Sequence, residues 1–218
     1  TNSTAQLDGF AITGGKADGP GFPIFDTRGG GMRIAGTGAP TVLNCDFTSN
    51  EAGQGGAVSL SGGASPSFTG CTYSGNVQVG TGMGGAVLIL DSSAVFSECE
   101  FSSNSAIGTG GAIHIQGSSV ASMTNCGFTQ NTSGGLGGGV LLFDGSMTLN
   151  NCTFEENQAG HSGGGVHCSG GDSVILNTCR FIANSAQHGG GGLSGSGSPL
   201  TADSCVFLGN HCDSFSGN

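Results

Sequence analysis

The sequence predicts an all-β protein, a right-handed parallel β-helix of about eight three-stranded coils, and two motifs repeating in step predict it. Cys, any residue, an aromatic, two residues and Asn recur seven times: Cys45-Phe47-Asn50, Cys71-Tyr73-Asn76, Cys99-Phe101-Asn104, Cys126-Phe128-Asn131, Cys152-Phe154-Asn157, Cys179-Phe181-Asn184 and Cys205-Phe207-Asn210. The cysteines follow one another at intervals of 26, 28, 27, 26, 27 and 26 residues. A glycine motif keeps time with them, as in Gly55-Gly56-Ala57-Val58, Gly84-Gly85-Ala86-Val87 and Gly110-Gly111-Ala112-Ile113. A period in this range marks a solenoid, whose units bury their apolar faces only against one another. The unbroken repeat makes 1–218 a single elongated domain, and the right hand follows from the crossover preference of parallel strands.

Taken in chain order, each coil opens on a strand upstream of the cysteine. Its inward residues stand three before Cys (Val42, Phe68, Phe96, Met123, Leu149, Leu176, Ala202) and five before it (Pro40, Pro66, Ala94, Ala121, Met147, Val174, Leu200). The Cys strand follows. Cys and the aromatic share one face by period-two alternation, and the residue between them (Asp46, Thr72, Glu100, Gly127, Thr153, Arg180, Val206) faces solvent. The parities of these two strands disagree, so a bend falls between them, near Asn44, Gly70 or Asn125. Asn at the end of the motif predicts an internal ladder at a sharp turn: Asn50, Asn76, Asn104, Asn131, Asn157, Asn184 and Asn210. The glycine motif opens the third strand, with Val58, Leu60, Val87, Ile89, Ile113, Ile115, Val140, Leu142, Val166 and Cys168 inward. Stacked at about 4.8 Å per rung, eight coils make a rod of roughly 40 Å.

The rhythm breaks over 14–28, which holds Pro20 and Pro23 and reads as a loop insertion in the first coil. Leu7-Asp8-Gly9-Phe10 reads as a degenerate Cys-aromatic strand with Asp8 in the cysteine's place. No capping helix or polar terminal coil is visible. Because solenoids protect their end strands, this suggests a segment of a longer protein or a rod that stacks on a partner.

Composition excludes several classes. The formal net charge is -10 with only four Lys and Arg, so the basic footprint a nucleic-acid binder needs is missing. No run approaches 18 apolar residues, so no membrane-spanning helix is expected. Nine cysteines in an acidic, glycine-rich chain point to an extracellular or cell-surface protein. Seven of them follow the repeat and no CxxC pair occurs, so zinc ligands are not expected. Neighbouring rungs meet the distance criterion for a disulfide, but in-register parallel neighbours strain the bond, and buried thiols packing as small hydrophobes are the reading preferred. Cys168 falls inward on another strand, and Cys212 is placed for a terminal or partner bond.

The glycine pair followed by Ala and an aliphatic residue, coupled to the aromatic-x-x-Asn of each coil, resembles the repeats of the chlamydial polymorphic membrane proteins. Gly55-Gly56-Ala57-Val58 with Phe47 and Asn50 carries the resemblance, as do Gly84-Gly85-Ala86-Val87 with Tyr73 and Asn76, and Gly110-Gly111-Ala112-Ile113 with Phe101 and Asn104. Gly139, Gly165 and Gly192 replace the Ala in later coils. The resemblance runs from Gly29 to Asn210. It implies an adhesin passenger on a right-handed β-helix and supplies no catalytic residue.

Candidate sites lie where the repeat does not dictate the residue. Asp91 and Asp144 are the best carboxylate pair, in one register two coils apart and hence about 10 Å from each other, near the upper end for inverting glycosidases. The same register elsewhere holds Gly36, Gly62, Gly117, Gly170 and Gly197, so a turn role is the competing explanation. On the outward face of the glycine strand, Leu88, Leu90, His114, Gln116, Leu141 and Phe143 form an expected apolar patch suited to a protein partner. His167 shares that face. His161 and His188 share a register before their glycine runs; such a stacked pair can bind a metal, but histidines beside a surface turn are the ordinary case, so no metal or other cofactor is assigned. Sequons occur at Asn2, Asn131 and Asn151; Asn131 belongs to the ladder, leaving Asn151 and Asn2 as glycan sites.

The function expected is a non-enzymatic extracellular structural or adhesive β-helix, a rigid spacer or fibre subunit, with partners met end to end or through the apolar patch and glycans as further candidates. The alternative is a carbohydrate-active enzyme or carbohydrate-binding module on a pectin-lyase-like scaffold. Ice binding ranks third, for want of a regular Thr-x-Thr array.

Overall fold

The computed structural model describes residues 5–17, 27–170, 173–197 and 199–213. The chain winds as a parallel β-helix of four sheets rather than the expected three. Among the described residues three sheets have eight strands and the fourth has seven, giving seven complete turns and three strands of an eighth. In the second turn the four strands are Thr41–Leu43, Asp46–Thr48, Glu51–Ala52 and Val58–Ser61. The unexpected sheet is the third, whose rungs are only two residues long, such as Glu51–Ala52, Val77–Gln78 and Ser105–Ala106. All pairings are parallel and in register between consecutive turns, as in Phe47 to Tyr73 to Phe101.

Single residues in the left-handed region make the two sharpest corners. The residue before each cysteine (Asn44, Gly70, Glu98, Asn125, Asn151, Thr178, Ser204) has φ between 48 and 62°. The residue before each ladder asparagine (Ser49, Gly75, Ser103, Gln130, Glu156, Ala183, Gly209) has φ between 51 and 65°. The first corner is the bend that the parity conflict demanded. That a β-branched Thr178 adopts this conformation shows how strongly the stacked neighbours fix it.

The second corner explains the asparagine. A chain that turns this sharply leaves backbone groups unpaired inside the coil, and the side-chain amide satisfies them. Asn104 Nδ2 donates to Tyr73 O of the preceding turn (2.9 Å) and to Asn131 Oδ1 of the next (2.9 Å), while its backbone N–H also donates to Asn131 Oδ1 (3.0 Å). The same set of bonds recurs from Asn50 to Asn184. In the first turn Gly15 N donates to Asn50 Oδ1, so Gly15 holds the asparagine's place.

That contact also corrects the register of the first turn. Ala11 pairs with Asp46 and Ile12 with Phe47, so Phe10 stands where cysteine was expected, and Asp8 lies on the previous strand opposite Leu43. Gly9 and Gly14 supply the two left-handed corners. Lys16 and Ala17 pair with Glu51 and Ala52, so 14–17 belong to the coil; the rest of the expected insertion, apart from Thr27 and Arg28, lies outside the described residues.

Inside, side chains stack by kind. Phe47, Tyr73, Phe101, Phe128, Phe154, Phe181 and Phe207 form one column, with ring centroids 4.5 to 5.0 Å apart and planes within 6°. Phe68 and Phe96 stack beside it and meet Tyr73 and Phe101 edge-on. The repeat cysteines form another column, and from Cys71 to Cys205 each thiol reaches a carbonyl of the preceding turn, as Cys99 Sγ donates to Phe68 O (3.6 Å). All nine cysteines are free thiols. Burial pushes the Cys168 thiol up to about 12, so it packs as a neutral hydrophobe.

Tyr73 is the one flaw in the aromatic column. Its hydroxyl is fully buried with no hydrogen-bond partner. Burying an unpaired hydroxyl costs about 1–3 kcal/mol. Tyr73→Phe, which restores the residue found at the other six positions, is therefore expected to raise unfolding stability by about 1 kcal/mol in urea titration.

Candidate functional site

The glycine strand decides what the surface offers. Arg33, Ser59, Leu88, His114, Leu141, His167 and Ser194 are in register on its outer face. This row was expected to be exposed. Leu88, His114 and Leu141 are instead at most 3% exposed, and Ser59 and His167 are buried as well. The chain leading into each glycine pair lies over them. The first glycine takes positive φ and curls onto its own strand, so that a Cβ on Gly110 would strike Ile113 O and His114 Cβ. The second glycine presses on the next turn, where a Cβ on Gly111 would strike Gly138 O. A tight backbone cover thus needs both glycines. Of the expected patch, only the rim row of Leu90, Gln116 and Phe143 reaches solvent, with Phe143 44% exposed.

His114 pays for its place under the cover. Nδ1 hydrogen-bonds to Thr109 Oγ1 at 3.0 Å, while Nε2 is buried without a partner. Desolvation draws its pKa down to about 4, and contacts with Gln116 and Thr109 offset only part of that. Burial also lowers His167, helped by the nearby His161; its Nδ1 is the orphan.

Asp91 and Asp144 end their glycine strands with φ of 45° and 61°, the conformation of Gly36, Gly62, Gly117, Gly170 and Gly197 in the same register. Asp91 Oδ1 accepts from Ser118 N at 3.3 Å, and each carboxylate lies over the glycine one turn on, Gly117 or Gly170. The Gly117 rung separates the two. Both residues occupy left-handed turn positions, which Asp tolerates better than most residues. Asp144→Gly is expected to unfold within about 0.5 kcal/mol of the parent, whereas Asp144→Ala loses about 1 kcal/mol through strain, as read by denaturant midpoints.

A shallow groove opens where Gly127 interrupts the outward row of the Cys strands. It is about 260 Å³, lined by Glu100, Asn125, Thr129, Asn151 and Thr153. The Glu100 carboxylate lies over Gly127, its pKa raised by burial and then by the adjacent Cys126 thiol. Sequence reasoning passed over this groove; the Gly at a position otherwise filled by Asp, Thr, Glu, Arg or Val was its signal.

Among the sequon residues, Asn131 is fully buried in the ladder. Asn151 is exposed at a left-handed corner, its amide donating to Asn125 Oδ1 at 2.8 Å. Asn2 lies outside the described residues. His161 and His188 meet on neighbouring turns with ring centroids 4.8 Å apart. Among the described residues no three His, Cys, Asp or Glu side chains converge as a metal cage, and no helix is long and apolar enough to cross a membrane.

Comparison with curated proteins gives no match. The model of the right-handed beta helix region matches residues 57–217, which takes in most of the glycine and asparagine repeats. The chain belongs to the right-handed β-helix family.

Proposed function

We propose that this β-helix is a non-enzymatic extracellular rod, a structural spacer or adhesive fibre subunit. One observation carries the reading: the interior is spent on continuous columns of Asn, Cys and aromatic side chains, while the coils differ from one another mainly at outward positions. Parallel ladders that run unbroken from turn to turn resist bending, and a variable exterior supplies contacts. Asp91 and Asp144, the strongest catalytic candidates in the sequence, stand in a register that glycine fills in the other coils, with left-handed backbones. The resemblance to chlamydial adhesin passengers points the same way. Electron micrographs and light scattering of the native protein test the proposal. Filaments or lateral bundles are expected; particles that remain monomeric at high concentration and bind no surface would sink it.

The groove at Gly127 favours a second reading, a carbohydrate-binding module. A carboxylate, two amides and two hydroxyls around a side-chain-free floor are the groups that hydrogen-bond a sugar ring. Glycan-array binding that disappears in Glu100→Gln but persists in Asp91→Ala would favour this reading over the rod.

A further inference from the structure

We propose that His161 and His188 form a surface clamp for one divalent transition-metal ion that binds imidazole, such as zinc or nickel. The two residues sit on adjacent turns, locked together by the backbone bond from His188 N to His161 O at 2.6 Å. Both side chains are exposed. Their ring centroids are 4.8 Å apart, the spacing of the phenylalanine column, yet the planes are tilted by 58° where every stacked aromatic pair lies within 8°. Flat stacking holds ring nitrogens a full rung apart. Tilted rings let one nitrogen of each turn toward a shared ion, which two metal–nitrogen bonds of about 2.0–2.1 Å would hold.

The neighbouring serine supplies an independent observation. Metal-binding histidines characteristically donate their other ring N–H to a fixed acceptor, which sets the tautomer and aims the lone pair. Ser162 Oγ lies 2.9 Å from His161 Nδ1, and Ser162 is itself 7% exposed. With Nδ1–H donating to this hydroxyl, the lone pair falls on Nε2. The comparison two turns earlier shows that this use of the hydroxyl has a cost. Thr109 stands five residues before the buried His114 and bonds its Nδ1. Ser162 stands five residues before the buried His167 but bonds His161 instead, and His167 Nδ1 is left buried without a partner. The fold satisfies the surface histidine at the expense of the inner one.

Two imidazoles with water in the remaining positions suit zinc, nickel or copper(II) better than calcium or magnesium, which prefer oxygen donors. Because the nitrogens must be unprotonated, protons compete with the metal and binding weakens in acid. The proposal goes beyond the rod's mechanical role and stands or falls separately from it.

Zinc titration by isothermal calorimetry of the full chain at pH 7.5 tests the clamp. A Cys212→Ser background removes the exposed thiol next to His211. One equivalent of zinc is expected to bind, and to raise the thermal midpoint. His161→Ala and His188→Ala, both on exposed loops, each weaken binding at least tenfold, while His114→Leu leaves it unchanged. No binding in the parent, or binding that survives both alanine variants, overturns the proposal.

Discussion

Asn131→Ala is expected to destabilise the rod by about 4 kcal/mol or more. The side chain makes four hydrogen bonds in a fully buried site. Nδ2 donates to Phe101 O and to Asn157 Oδ1, and Oδ1 accepts from both the backbone N–H and the amide of Asn104. Alanine leaves the Phe101 carbonyl and two Asn104 donors buried and unpaired, each costing about 1–3 kcal/mol. Asn210→Ala provides the control. Asn210 accepts from Asn184 but donates only to Phe181 O, and it is partly exposed, so water takes over some of the lost partners. About half the loss is expected there. Urea unfolding of the two variants side by side decides the matter; equal, small losses would mean that the ladder follows the coil instead of holding it.

That contrast shows where sequence suffices. Cys45 and Phe47 lie inward by alternation along one stretch and Val42 by alternation along the strand before it, and seven repetitions turn a weak local signal into a firm one. The bend at Asn44 was forced by the parity conflict and needed no coordinates. Four features escaped for physical reasons. Rungs such as Glu51–Ala52 are too short to alternate, so the third sheet has no periodic signature. In the first turn, Phe10 and Ile12 replace Cys and aromatic, and only backbone pairing fixes their register. The burial of Leu88, His114 and Leu141 escaped because their cover is glycine backbone, which carries no apolar side chain for a pattern to detect. The same loss of pattern hid the groove at Gly127, where the informative feature is a missing side chain.

The covered row gives the second large effect, acid sensitivity centred on His114. In the folded protein its pKa is drawn down to about 4 by desolvation, against about 6.5 in an unfolded chain. Below pH 6.5 the unfolded state therefore binds more protons than the folded one, and stability falls as pH drops until the folded histidine also titrates near pH 4. At pH 4.5 the deficit amounts to about 2–3 kcal/mol from this residue. His167 shifts in the same direction and adds to the slope. His114→Leu removes the term and suits the site, because Leu88 and Leu141 are its neighbours in the row and both are buried. Near pH 7.5 the variant is expected within about 1 kcal/mol of the parent, since the lost Thr109 bond is offset by removal of the unpaired Nε2. Carboxylate titration is common to both proteins and cancels in the comparison. Urea midpoints at pH 7.5, 6.0 and 4.5 are expected to diverge steadily in the variant's favour; parallel curves would place the acid-sensitive step elsewhere in the coil.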